Sequence, residues 1–350
     1  MSAFHGILAT NNDIMYKIVL TLIVALSVLS CKTQINEAGE ADPVRFSKSI
    51  TSSELSDYLY TISSDEFEGR DTGKAGQKKA AEYLKNYYSS LNIAGGSFED
   101  EPYFQTIDSS FFEGRFPSSE NVIALIKGSE LPEEYVVITS HYDHVGMKDG
   151  EIYNGADDDG SGTVAIMEIA EAFQKAVEEG YAPKRSVVFL HVTAEEKGLL
   201  GSKYYSEHPI YPLENTVANL NIDMIGRIDE AHQDEPNYIY LIGSDRLSTD
   251  LHEISEAANA QFTNLNLDYT YNDENDPNRF YYRSDHYNFA KFDIPIIFYF
   301  NGVHEDYHQP TDTPDKIEYE LLEKRAKLVF FTAWEIANRE NRPVVDKPTL

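Results

Sequence analysis

Six continuous apolar stretches of strand length recur between helical segments along this 350-residue chain. They read "NVIALIKG", "EYVVITSH", "RSVVFLHV", "TVANLNIDMIG", "NYIYLIG" and "IPIIFYF". Half-exposed strands alternate apolar and polar residues, whereas runs like these belong to strands covered on both faces. The covering helices are visible too. "TSSELSDYLYTI" opens with Ser/Thr capping residues, "GKAGQKKAAEYLKNYYSSL" is rich in Ala, Lys and Glu, "SGTVAIMEIAEAFQKAVEEG" is amphipathic, and a last helix runs from about Pro314 to Asn338. The pattern predicts an α/β fold, a three-layer α/β/α sandwich around a mixed, mostly parallel central sheet. Three irregular pieces remain, 95–119, 228–236 and 264–280. The last is rich in Asn and Asp and is expected to be a surface loop near the site.

The start of the chain has another character. From Met15 it reads "MYKIVLTLIVALSVLSCK": one lysine, an apolar run from Ile18 to Leu29, then Ser30 and Cys31. That is the layout of a secretory signal, with an apolar core short for a membrane span. "VLSC" resembles a bacterial lipobox, which makes Cys31 the expected lipidation site and a lipid anchor in the bacterial cell envelope the expected location. Residues 1–14 do not suit such a signal, so Met15 is the expected start; an uncleaved anchor helix is the alternative. Cys31 is the single cysteine, so no intramolecular disulfide can form. Residues 32–50 are expected to be a polar tether, and 51–345 one domain.

Fifty-nine acidic residues against 29 basic ones give a net charge of −30. Such a surface repels phosphate backbones, so nucleic acid is not an expected partner. It leaves room for bound cations.

Five polar clusters fall where apolar strands end or in the loops beyond, the place where open α/β sheets put their sites. They are "SHYDHVG" (140–146), "NGADDDGSG" (154–162), "TAEEKG" (193–198), "NIDMIG" (221–226) and "DYHQPTDT" (306–313). His141 stands where a buried strand emerges, and Asp143 could fix its tautomer. Three successive aspartates, Asp157 to Asp159, repel one another unless a cation or hydrogen-bond donors offset them. Asp223 is a lone carboxylate in an apolar strand end and needs a partner. Of the adjacent Glu195 and Glu196, one can hold a metal while the other takes a proton from water. His308 is a further ligand candidate, with His304 and His286 expected in local roles. Each cluster has an ordinary alternative, a surface histidine or an acidic helix start. Together they supply oxygen and nitrogen donors of the kind that bind zinc in hydrolytic sites.

In order and wording these clusters resemble the zinc-dependent exopeptidases of the secreted bacterial aminopeptidase type, metallopeptidase family twenty-eight. The resemblance runs from about Leu55 to about Leu322 and includes "SSDEFEGRDTGKAGQKKAAEYL" and "RSDHYNF". It implies two zinc ions: one on His141 and Asp223, the other on Glu196 and His308, bridged by Asp158, with a cis peptide bond following Asp158. It implies Glu195 as general base, Asp143 orienting His141, Tyr307 assisting at the oxyanion, Arg283 contacting substrate, and Asp159, Ser284 and Asp285 supporting the ligands. The implied reaction removes residues from the N-termini of peptides. Carboxypeptidase or dipeptidase action, single-zinc glutaminyl cyclase chemistry and a non-catalytic binding module are the alternatives.

Overall fold

The computed structural model describes residues 42–347. The signal-like segment with Met15 and Cys31, and the first part of the expected tether, lie outside them. Among the described residues no helix is long and apolar enough to cross a membrane.

Eleven strands are present among the described residues: β1 (Ala94–Gly95), β2 (Phe104–Ile107), β3 (Ser119–Ile126), β4 (Leu131–His141), β5 (Gly146–Lys148), β6 (Glu151–Tyr153), β7 (Arg185–Val192), β8 (Thr216–Ile222), β9 (Tyr238–Ile242), β10 (Asn266–Asp268) and β11 (Ile296–Phe300). Nine form one mixed sheet in the order β1-β3-β7-β4-β8-β11-β9-β10, with β2 beside β3. The centre, β7-β4-β8-β11, is parallel, and antiparallel pairs flank it at β3/β7 and β11/β9. β5 and β6 form a separate hairpin.

Every residue of β7 and β8 is buried, as their unbroken apolar sequences require. Alternation along β7 then divides the core. Phe189 faces Phe173 of the long helix Gly162–Glu178, whose ring also meets Phe330 and Trp334 of the C-terminal helix Tyr319–Asn338. Val188 and Leu190 join a second cluster with Tyr205 and Phe289, from the short helices Leu200–Glu207 and His286–Ala290. Helices thus cover both faces of the sheet.

The globular body begins earlier than the expected tether end. Pro43–Ser47 is a helix capped by Asp42, Phe46 lies against Trp334, and Ile50 is fully buried. The short apolar content of "PVRFSKSI" is enough because Phe46 packs on Tyr181 and Trp334, aromatics supplied by other segments. The region 95–119 is also less irregular than expected, since it contributes β2 to the sheet.

Candidate active site

β4, β7, β8 and β11 all run the same way, so the loops following them meet at one end of the sheet. β4 delivers His141 as its last residue; Glu195 and Glu196 follow β7, Asp223 follows β8, and the loop after β11 carries Tyr307 and His308.

Asp158 is the hub. Its Oδ1 lies 3.2 Å from His141 Nε2 and its Oδ2 3.0 Å from His308 Nε2. One carboxylate therefore serves two imidazoles from opposite sides. Asp223 Oδ1 is 3.7 Å from His141 Nε2, and Glu196 Oε1 is 3.2 Å from His308 Nε2. The five expected ligands gather into two linked sets. Burial acts to raise the Asp158 carboxyl, but the imidazoles of His141, His144 and His308 outweigh it and hold it well below the ordinary range. Burial lowers His308 and its two carboxylate partners raise it, to about 10 overall. The peptide bond Asp158–Asp159 is cis, as the resemblance implied.

Glu195 sits beside this hub, its Oε2 4.0 Å from His141 Nε2. Burial, with Asp223, Asp285 and Glu196 nearby, pushes its carboxyl well above the usual range despite His141. Tyr307 stacks on His308 at 3.9 Å, and burial among these carboxylates raises its hydroxyl, which stays protonated. A cleft opens next to Glu195, Asp158 and Asp223. Its wall is apolar, built from Met224, Phe280, Phe298, Phe300 and Val303, with Tyr307 and Arg283 also lining it. The Arg283 guanidinium lies over the Phe280 ring at 4.8 Å.

Asp143 meets the His141 ring with its main chain more closely than with its side chain. His141 Nδ1 bonds the backbone carbonyl of Asp143 at 3.0 Å, while the carboxylate is 3.8 Å away. That carboxylate instead accepts the Glu195 backbone N–H at 3.1 Å and the Thr72 hydroxyl at 2.8 Å. Asp143 therefore holds the histidine with its main chain and the glutamate loop with its side chain.

The other acids support the site. Asp159 accepts the N–H groups of His141, Gly162 and Met224, and a Cβ at Gly162 would stand 2.4 Å from its Oδ1, which explains the glycine there. Asp157 accepts the Gly226 N–H and contacts His304 at 3.1 Å, so both are local, as is His286, bonded to the Tyr281 carbonyl. Ser284 accepts from Asn221 at 2.8 Å, and Asp285 accepts the Ser202 hydroxyl.

Three contributors escaped the sequence reading. Asp312 accepts the N–H groups of both Asp157 and Asp158 and so shapes the hub's turn. Arg70, fully buried, donates to the carbonyls of Ile62, Tyr142, Asn154 and Gly155 beneath it. His144 lies with Nδ1 2.9 Å from Glu196 Oε1. The only signal for His144 was its presence in "SHYDHVG", three residues from where a lone ligand was expected.

The donors suit a divalent cation. His141, Asp159 and Asp223, and separately His144, Asp158 and Glu196, each offer one atom within 4.8 Å of the others. Asp158 Oδ2 and Glu196 Oε1 are buried without a hydrogen bond among the described residues, a cost that a cation between them removes. Imidazole and carboxylate without thiolate is a donor set for zinc or a similar ion.

Residues 121–333 match Peptidase family M28. The chain is 28% identical over 241 residues to aminopeptidase YwaD of Bacillus subtilis, covering 67% of this chain and 48% of that protein. It is 38% identical over 105 residues to the probable glutamate carboxypeptidase LAMP1 of Arabidopsis thaliana, covering 30% of this chain and 14% of the relative. The chain thus spans about half the length of the first of these curated relatives and far less of the second. The crystal structure of the LapA aminopeptidase of Legionella pneumophila superposes with a TM-score of 0.66 at 22% identity, over 88% of this chain and 79% of that one, which shows a shared fold.

Proposed function

The chain belongs to peptidase family M28, and from that premise we propose that it is a two-zinc metallo-exopeptidase that hydrolyses the N-terminal peptide bond of peptides. The observation that carries this reading is the Asp158 carboxylate, split between His141 and His308, with Glu195 alongside.

His141 and Asp223 on one side, and Glu196 and His308 on the other, would hold the ions, with Asp158 shared. Bound there, zinc supplies Lewis acidity that lowers the pKa of water and polarises a carbonyl. Glu195 takes the proton of the attacking water and returns it to the leaving amine. Tyr307 donates its hydroxyl proton in a hydrogen bond to the oxygen on which charge develops. The apolar cleft wall receives the first side chain, and Arg283 at its margin meets the substrate. Carboxylates crowding the hub attract a free α-ammonium, which supports action at N-termini. The lipobox-like "VLSC" supports a lipid anchor at Cys31 in the cell envelope.

The test is metal analysis together with hydrolysis of amino-acid p-nitroanilides and their N-acetylated counterparts. The reading expects two ions per chain and turnover of the free-amine substrates alone. Equal turnover of the acetylated substrates would remove the N-terminal assignment, and a metal-free chain with no turnover would leave a binding module.

A further inference from the structure

We propose that His144 is a fourth protein donor to the metal position formed by Asp158, Glu196 and His308, an inference that rests on the two-metal reading above. Other buried histidines of this chain have at least one ring nitrogen bonded: His286 and His304 have Nε2 bonded and Nδ1 unbonded among the described residues, and two others have both bonded. His191 shows this: Nε2 meets the Tyr88 hydroxyl at 2.6 Å and Nδ1 the Ser140 hydroxyl at 3.1 Å. His232 does the same between Asp229 and Asp268. His144 is equally buried, yet neither of its nitrogens has a hydrogen bond among the described residues.

Its Nδ1 is nonetheless close to two oxygens, 2.9 Å from Glu196 Oε1 and 3.7 Å from Asp158 Oδ2. These oxygens lack hydrogen bonds as well. Three buried polar atoms thus lie within 4.8 Å of one another, none with a hydrogen bond of ordinary geometry among the described residues. The spacings agree. His308 Nε2 stands 3.0 Å from Asp158 Oδ2 and 3.2 Å from Glu196 Oε1. Donors about 2.0–2.1 Å from a tetrahedral zinc stand about 3.3–3.4 Å apart. The four measured separations straddle that value.

The ring is also held in place. Gly155 has φ +55°, and a Cβ there would come within 2.5 Å of His144 Cγ. The His144 N–H donates to the Arg70 carbonyl at 3.2 Å, and Arg70 in turn donates to the Gly155 carbonyl at 2.8 Å. The "EGRD" segment and the start of the aspartate turn thus hold the backbone and one side of this imidazole.

A position with four protein donors is closed, whereas a catalytic zinc keeps one open. The two positions are therefore unequal. The Glu196 side is the anchoring one, and the open place falls to the side of His141 and Asp223, which Glu195 faces.

The test loads the metal-free wild-type chain with ¹¹³Cd²⁺ and counts histidine rings that correlate with cadmium by NMR. Three are expected, from His141, His144 and His308. Two rings, with His144 silent, overturn the proposal and leave the two-metal reading intact. A wild-type chain that takes up no cadmium or zinc overturns that reading and this one with it. In parallel, Co²⁺ titrations of His144→Ala and His144→Gln should show one of two ions bound at least tenfold more weakly, with a changed visible spectrum. Both variants binding two ions at parental affinity with an unchanged spectrum would also overturn it.

Discussion

The Asp143 carboxylate accepts the backbone N–H of Glu195 at 3.1 Å, tying the end of β4 to the loop after β7. Because the His141 ring is held by the Asp143 carbonyl, which any residue supplies, an Asp143→Ala substitution separates two effects. Zinc content should stay at the parental value, while kcat falls about 10- to 100-fold as the Glu195 loop loses its anchor. Metal analysis beside steady-state kinetics checks this. Loss of zinc in the variant would return the carboxylate to the histidine.

On the proposed mechanism, Glu195→Gln removes the proton acceptor and leaves the hub's proposed ligands untouched. Zinc content should be unchanged and kcat should fall about 10²- to 10⁴-fold, the range that general acid–base groups contribute. Parental turnover in this variant would assign the base elsewhere.

Much of the site was legible because apolar strands announce where they end, and a charged residue at such an end has few reasons to be there. His141, Glu195, Glu196 and Asp223 were singled out that way and His308 from a loop beyond a strand, while the choice of Asp158 among three aspartates came from the resemblance. What was hidden depends on the path of the backbone. Whether Asp143 uses its carbonyl or its carboxylate follows from the turn after β4, which no side-chain pattern encodes. Arg70 sits in a glycine-containing turn whose composition suggests a surface, yet the chain folds it under the acids. Pro43–Ile50 looked like tether because two apolar residues cannot make a core alone, and they do not: Phe46 packs on Trp334, and Ile50 is fully buried.

Arg70 gives a stability prediction. Its guanidinium is fully buried and donates four hydrogen bonds, all to backbone carbonyls. Burial lowers its pKa, and Asp158, Asp312, Asp143 and Asp159 act in the opposite direction. Arg70→Met strands those carbonyls and removes the cation beneath the acidic hub. It should cost about 3 kcal/mol or more. Urea unfolding of the zinc-loaded protein reads the loss, and an unfolding free energy within about 0.5 kcal/mol of the parent would contradict it.

Glu168 lies in the Gly162–Glu178 helix, away from the hub, fully buried, and accepts the Thr51 N–H at 3.1 Å. Burial pushes its carboxyl up to about 8; Thr51 lowers it somewhat, and Glu54 and Glu171 raise it. The folded chain thus holds this proton more tightly than the unfolded chain, whose glutamate titrates near the model-peptide value of about 4.3. The contribution to stability is complete below that value and is lost as pH rises towards 8. Glu168→Gln keeps an acceptor for Thr51 and carries no charge at any pH. Unfolding free energies of the two chains, measured across pH 5 to 9, should therefore nearly coincide at the acid end. They should separate in favour of the glutamine variant up to about pH 8, by on the order of 2–4 kcal/mol, and run parallel above it. Titrations shared by both chains, including those of the hub, cancel in this difference. A difference that does not change with pH would mean that Glu168 ionises normally in the folded protein, which its unbonded, buried Oε1 argues against.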